Sequence, residues 1–335
     1  MSRVSVLLSV RNGADTLPRA LDSILAQTFT DWRAVIVNDG STDDTLSVLE
    51  TYQKQDARFG VLDRPAEGLV AALNAGLSHC TGEFIARMDA DDYCYPERLA
   101  RQLAFLYEHP EIDIVSSRVR HVGDPIAQQG YAEHVAWLNT LISHKQHSQQ
   151  RFVDQPLANP SATLRQAVFN SVGSYRSGDF PEDYEFWLRC LHAGHQMAKL
   201  PEVLLDWYDL PTRATRNLGM YREEAFFKTK AEYWSLWAQE HLNDQTEVWI
   251  WGVSKEIRRK TSILQDYGWD PTGYIDVTQK RQFNGKPVIH FTDLSKISHP
   301  RHVLVYVANR EGKQRIQKYL EQLRWRPGLD FHFMA

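Results

Sequence analysis

The sequence is short of cysteine, of long apolar runs and of any excess of charge, and each shortage removes a class of protein. Its three cysteines, Cys80, Cys94 and Cys190, are odd in number and widely spaced. Neither a disulfide framework nor a CxxC zinc or redox pair is available, and a reducing, cytoplasmic setting is expected. No stretch approaches the ~18 consecutive apolar residues of a membrane helix. The opening Met1-Ser2-Arg3 and the apolar residues 4–10 have the outline of a secretion leader. The run is short, lacks a small-residue cleavage pattern and stops at Arg11-Asn12-Gly13, so it reads as a buried first strand. Charge is nearly balanced, 38 Lys and Arg against 42 Asp and Glu, which gives nucleic acid no bulk electrostatic footprint. The 13 histidines contain no HExxH or comparable zinc spacing. His192 and His195 follow a helix pattern and read as surface residues.

What is present is an alternation of strand and helix signals. Strands at 3–10, 33–38, near 60–62 and at 83–88 are separated by helices at 15–26, 44–55 and 68–79, an order that predicts an α/β fold with a mostly parallel sheet. Pro96 opens a further helix to about His109, and 112–119 reads as a strand. Residues 120–160 look loop-rich with one helix near 133–143. Helices near 165–171 and 182–193 and a strand near 203–208 close a first domain of residues 1–215. Residues 216–244 read as a helical connector, with Trp234 and Trp237 three apart on one face as packing residues. From Glu247 the pattern restarts, giving a smaller Rossmann-like α/β domain over 245–335. Of the dinucleotide glycines it keeps only Gly252, with Asp276 at the distance of a ribose-binding acid, so cofactor binding there has weak support.

Three acidic turns carry the chemistry. Asp89-Ala90-Asp91-Asp92 directly follows the strand ending Ala86-Arg87-Met88, where open α/β sheets place their ligands. Carboxylates so close repel one another unless a cation relieves the charge, and Mg²⁺ and Mn²⁺ favour such oxygen ligands. The plain alternative is a solvated acidic loop before the helix at Pro96. Asn38-Asp39-Gly40-Ser41 also follows a strand; it is either a ligand-binding turn or an ordinary Asp-capped one. Glu182-Asp183 opens the helix Tyr184-Glu185-Phe186-Trp187-Leu188-Arg189, where acids are commonly partners of the helix dipole and nothing more.

Taken in order, these blocks resemble the family 2 glycosyltransferases of the GT-A fold. The resemblance spans about residues 3–210. It rests on Val4-Ser5-Val6-Leu7-Leu8-Ser9-Val10-Arg11-Asn12, Ser23-Ile24-Leu25-Ala26-Gln27-Thr28 and Asn38-Asp39-Gly40-Ser41-Thr42-Asp43-Asp44-Thr45. It continues through Ala72-Leu73-Asn74-Ala75-Gly76, Ala86-Arg87-Met88-Asp89-Ala90-Asp91-Asp92, Asn159-Pro160-Ser161 and the Glu182–Arg189 block. The resemblance implies a GT-A nucleotide-diphospho-sugar transferase fold and transfer of a sugar from a nucleotide donor. Val10, Asn12 and Asp39 would hold the nucleoside, with Asp39 accepting a ring N–H that uracil, thymine and guanine offer and cytosine and adenine lack. Asp89 would lie near the ribose and the metal, and Asp91 would bind Mn²⁺ or Mg²⁺. Asp183 would be the general base of a single, inverting displacement. The first strand ends in Ser9-Val10-Arg11-Asn12, without the aromatic that relatives often carry before the Asn.

On the acceptor side, Arg213 or Arg216 could help neutralise the diphosphate, or could belong to a solvated basic loop. Trp207 is the candidate for stacking on an acceptor sugar. The resemblance further implies a glycan or lipid-linked glycan acceptor, no nucleic acid, and an enzyme that could work at the inner face of a membrane. The small C-terminal domain would serve interaction or regulation, with a partner protein as its ligand. The competing expectations are a catalytically silent binding or scaffold protein that kept the fold, and a nucleotidyltransferase. Arg11-Asn12-Gly13 is a poor version of the Gly-rich loop that the second would need.

Overall fold

A computed structural model describes residues 2–124, 126–210, 219–278, 281–297 and 301–335. They fall into two compact units, Met1–His147 with Pro156–Gly219, and Ser148–Gln155 with Met220–Ala335.

In the first unit β1 (Val4–Val10), α1 (Leu17–Leu25), β2 (Trp32–Asp39), α2 (Thr45–Gln55), β3 (Phe59–Arg64), α3 (Leu69–Leu77) and β4 (Phe84–Arg87) follow the expected alternation. Strands β1, β2 and β4 are buried almost throughout, as parallel strands covered on both faces must be, which is why they read as apolar runs. Helix α1 buries Leu17, Ala20, Leu21 and Ile24, one face at helical spacing. Helix α3 crosses the sheet at Gly76, where a Cβ would lie 2.5 Å from Leu7 Cδ1 and 2.9 Å from Val37 Cγ2.

The rest of this unit is β5 (Tyr93–Cys94), α4 (Arg98–Glu108), β6 (Ile114–Val122), α5 (Gln129–Leu138), the start of α6 (His144–Gln150, whose last turn groups with the second unit), β7 (Thr163–Arg165), α7 (Gln166–Val172), α8 (Glu182–His192) and β8 (Met197–Tyr208). The sheet order is β3-β2-β1-β4-β7-β6-β8-β5. Strands β3, β2, β1 and β4 run parallel, but β7 is antiparallel to both β4 and β6, and β5 is antiparallel to β8. The expected mostly parallel sheet therefore holds as far as β4 and becomes mixed beyond it. Between β6 and β7 the chain runs through α5, α6 and a 3₁₀ turn over Asn159–Ser161, and β7 returns between β4 and β6 in the opposite direction to both.

The second unit contains α9 (Glu223–His241), β9 (Glu247–Trp251), α10 (Lys255–Asp266), β10 (Gly273–Asp276), β11 (Gln282–Phe283), β12 (Lys286–His290), β13 (Arg301–Val305), α11 (Arg310–Gln322) and β14 (Phe331–Phe333). Its order is β11-β12-β10-β9-β13-β14, parallel except for the edge pair β11–β12. The helix read as a connector belongs to this unit: α9 buries Phe227, Tyr233, Trp234 and Trp237, and Glu223 pairs with Arg259 and Lys260 of α10, both at 3.2 Å. Asp276 accepts from Val253 N at 3.1 Å and from Thr278 N at 2.8 Å. Both of its oxygens are thus engaged by the unit's own backbone.

A buried histidine pair joins β13 to β14. His302 Nδ1 lies 3.0 Å from the Leu329 carbonyl, and His302 Nε2 lies 3.1 Å from His332 Nδ1. Only Nδ1–H can serve a carbonyl, so His302 Nε2 is the acceptor and His332 Nδ1–H its donor. Trp237 packs on both rings and Trp234 on His302. Burial pushes His302 down to about 4 and His332 well below the usual imidazole range. In the first unit burial and the nearby Lys199 push His147 down to about 3. These rings are neutral when folded and take up protons only on unfolding, so their stabilisation is complete above pH ~6.5 and declines as pH falls toward 4. Unfolding free energy at pH 5 should lie below its pH 7.5 value, by on the order of 2 kcal/mol for His302 alone. Urea titrations followed by tryptophan fluorescence at both pH values test this; equal stabilities would contradict it.

Candidate active site

Strands β1 and β4 are neighbours where the chain order reverses: β2 and β3 lie on one side of β1, and β4 and the later strands lie on the other. Such a reversal opens a crevice beyond the carboxyl ends of the strands. The loops after β1 and β2 are tied together there. Asn12 N donates to Ser41 Oγ at 2.9 Å, Thr42 N to Asn12 Oδ1 at 2.8 Å, Gly13 N to Thr45 Oγ1 at 2.9 Å and Ala14 N to Asp43 Oδ2 at 3.1 Å. Asn12 adopts the left-handed conformation, φ 53°, which Asn tolerates better than most residues.

Asp39 ends β2 and is buried. Its Oδ1 accepts from Glu67 N at 2.8 Å and Gly68 N at 3.2 Å, and its Oδ2 accepts from Gly68 N at 3.1 Å. These donors lead into α3, so the carboxylate fixes the start of that helix. Gly40, at φ 60°, follows; a Cβ there would sit 2.5 Å from Ala66 N. Asn38 turns away to donate to Asp63 Oδ1 at 2.7 Å.

The loop after β4 gathers Asp89, Asp91 and Asp92, one oxygen of each lying within 4.8 Å of the others. Asp89 Oδ1 accepts from Arg87 Nη2 at 3.1 Å, and Asp92 Oδ1 from Tyr208 N at 2.9 Å. Three hard oxygen donors at this spacing, two of them half-buried and one buried, suit Mg²⁺ or Mn²⁺.

Arg87 closes β4 and pairs with the loop's Asp89. Its side chain is 1% exposed, with Nη1 donating to the Leu7 carbonyl at 2.6 Å. Burial alone would lower its pKa, but Tyr175 and the negative charges of Asp89, Glu182 and Asp183 raise it above the usual arginine value. Glu182 and Asp183 are buried in the first turn of α8, where the helix dipole favours negative charge. Asp183 Oδ1 accepts from Tyr184 N at 2.7 Å. Tyr175 is fixed from two sides. Asn74 on α3 donates from Nδ2 to its carbonyl at 2.8 Å and accepts its N–H on Oδ1 at 3.0 Å. Arg189 spans Glu185 and the Ser174 carbonyl, tying the same loop to α8. Behind β4 a second buried arginine, Arg98, donates to the carbonyls of Arg87 at 2.7 Å and Ala162 at 3.3 Å.

Val10, Asn12, Asp39, Asp89 and Asp91 thus line the carboxyl ends of β1, β2 and β4, while Asp183 lies in the first turn of α8 and its charge acts on Arg87. Trp207 is a correction: it is 6% exposed and packs against Tyr131 and His134 in the core, leaving no open face for a sugar. His195 is another, being half-buried with Nδ1 3.1 Å from Asp113 Oδ2. His192 is likewise half-buried. Arg213 and Arg216 lie outside the described residues. Sequence reasoning gave no role to Arg87, Arg98, Asn74 or Tyr175, although an arginine closing an otherwise apolar strand was a visible sign of a buried ion pair. Asn74→Ala removes two hydrogen bonds to one backbone and should lower unfolding free energy by about 1–3 kcal/mol in urea titrations. An unchanged midpoint would show that the Tyr175 loop is held by other contacts.

The sequence profile described as Glycosyl transferase family 2 matches residues 5–173. The amylovoran biosynthesis glycosyltransferase AmsE of Erwinia amylovora is 32% identical over 207 residues, covering 60% of this chain and 74% of that protein. Among solved structures, S. aureus TarS 1-349 in complex with UDP-GlcNAc aligns at TM-score 0.54 and 20% identity, over 79% of this chain and 71% of that one. The mannosyltransferase PcManGT from Pyrobaculum calidifontis, in complex with GDP-Man and Mn²⁺, aligns at TM-score 0.52 and 19% identity, over 71% and 64% respectively. At these identities the two structures bear on the fold.

Proposed function

Because this chain belongs to glycosyl transferase family 2, we propose that it is an inverting, metal-dependent enzyme moving a sugar from a UDP, dTDP or GDP donor to an acceptor hydroxyl. The acceptor would be a glycan or lipid-linked glycan intermediate of polysaccharide or cell-envelope synthesis, the kind of pathway named for the Erwinia relative. The observation that carries the reading is the gathering of Asp89, Asp91 and Asp92 within 4.8 Å of one another beyond β4, at the crevice where the chain order reverses.

Asp39 would accept the ring N–H of uracil, thymine or guanine on Oδ2, the oxygen that takes one backbone donor where Oδ1 takes two. Val10 and Asn12 would flank the same nucleoside. Asp91, with Asp89, would hold the divalent cation, which when bound would supply positive charge to offset the negative charge developing on the leaving group. The acceptor oxygen attacks the anomeric carbon as Asp183 takes its proton, and the bond from that carbon to the diphosphate oxygen breaks. Attack opposite the leaving group inverts the anomeric configuration. The buried free cysteines, and the lack of any described helix long and apolar enough to cross a membrane, accord with work in the cytoplasm. A lipid-linked acceptor would be met at the membrane's inner face, and the second unit would serve a partner protein.

Thermal melts against UDP, dTDP, GDP and CDP, each with and without Mn²⁺, test the donor reading, since a ligand of the folded state raises Tm by mass action. One of the first three should give a Mn²⁺-dependent rise that Asp91→Asn abolishes; a flat panel would return weight to a silent scaffold. Asp183→Asn should keep that rise and lose transfer by about 10²–10⁴-fold. Transfer at the wild-type rate in this variant would remove Asp183 as the base.

A further inference from the structure

We propose that Arg19 on α1 is a positioning residue that presets the acidic loop for its cation, an inference that rests on reading Asp89 and Asp91 as metal ligands. Three contacts among the described residues hold the loop. Arg87 takes Asp89, and the Tyr208 N–H takes Asp92. The third is from Arg19 Nη2, which donates to the main-chain carbonyl of Asp91 itself. The Arg19 guanidinium lies 3.5 Å from the centroid of the Tyr208 ring. One stacked pair therefore ties the loop to α1 on one side and to β8 on the other. The base of the Arg19 side chain is fixed, because Leu17, Ala20 and Leu21 around it are buried in the core.

The choice of acceptor atom matters. A cation beside three carboxylates would ordinarily be drawn to a carboxylate oxygen and compete with a metal for it. Arg19 spends its hydrogen bond on a carbonyl instead, so it fixes the Asp91 backbone without occupying that residue's ligand atoms. Stacking on Tyr208 holds the guanidinium plane in that orientation, which a lysine ammonium cannot reproduce.

Two roles for Arg19 then give opposite signs. As a positioning residue its loss weakens metal binding. As a mere neighbouring positive charge its loss tightens binding. Mn²⁺ bound to the full chain, counted from the electron paramagnetic resonance of the free ion, separates them. Arg19→Ala should bind Mn²⁺ roughly 10-fold or more weakly, in the range found for residues that orient metal ligands. Arg19→Lys and Tyr208→Leu should move the same way, and either serves if Arg19→Ala does not fold. In transfer assays the Mn²⁺ concentration for half-maximal rate should rise by a similar factor, with the rate at saturating Mn²⁺ within about 3-fold of wild type. Unchanged or tighter Mn²⁺ binding in folded Arg19 variants would overturn the inference alone. No Mn²⁺ binding by the wild type would overturn the cation reading and this inference with it.

Discussion

The buried charge of Arg87 is the constraint on which the rest of this site depends. A guanidinium taken out of water at the end of an apolar strand is tolerable only if negative charge and carbonyl oxygens surround it. The Leu7 carbonyl of β1 and Asp89 bond it directly, and Glu182, Asp183 and Tyr175 raise its pKa against the effect of burial. The two direct bonds tie β4 to β1 and to the acidic loop, and the acids at the start of α8 add negative charge around the same cation. Removing a single partner would leave the others facing an undercompensated buried charge, and such losses cost more than an exposed ion pair ever contributes. The second arginine, Arg98, completes the arrangement from behind. It donates to the Arg87 carbonyl, and its own pKa is lowered by burial and by Arg87 beside it. The strand end is thereby held by hydrogen bonds on both sides, without a second set of acids.

Much of the GT-A unit was legible because β1, β2 and β4 are parallel and buried on both faces, a state that writes itself into sequence as unbroken apolar runs. The elements that escaped are those whose stability is not local. Strands β5 and β7 have two and three residues, too few to show a period. The first half of β8 is interrupted by Lys199, whose ammonium is buried and donates to the Leu138 carbonyl at 2.5 Å. Residues 148–155 group with the second unit although nearly a whole element set separates them in sequence. No pattern within eight residues can report a long-range association of that kind.

The site divides along similar lines. Carboxylates after a strand announce themselves, as Asp39, Asp89 and Asp91 did, whereas Asp183, in the first turn of a helix, drew its role from the family resemblance. Residues that act by bonding to backbone give no such sign, because an Asn such as Asn74 looks the same whether it caps nothing or holds a loop from another element. Trp207 failed for the converse reason: a large aromatic near a presumed acceptor region is read as a stacking surface, yet burying it against Tyr131 and His134 is worth more than leaving it exposed.

Charge distribution supplies an independent argument for a cation. The chain's nearly balanced total conceals an uneven division: the first unit has 19 Lys and Arg against 27 Asp and Glu, and the second has 19 against 15. The proposed donor is itself anionic and would have to enter the more acidic unit, beside three clustered carboxylates. Arg87 cannot meet the diphosphate, because it is buried and already committed to the protein's own acids. Arg19 directs its described hydrogen bond to a carbonyl. Among the described residues at this loop, then, the positive groups serve to build the acidic cluster rather than to receive phosphate. A divalent cation between the carboxylates and the diphosphate would remove both repulsions at once. On the proposed reading, Asp89 and Asp91 and the donor's diphosphate would share the charge of one such ion.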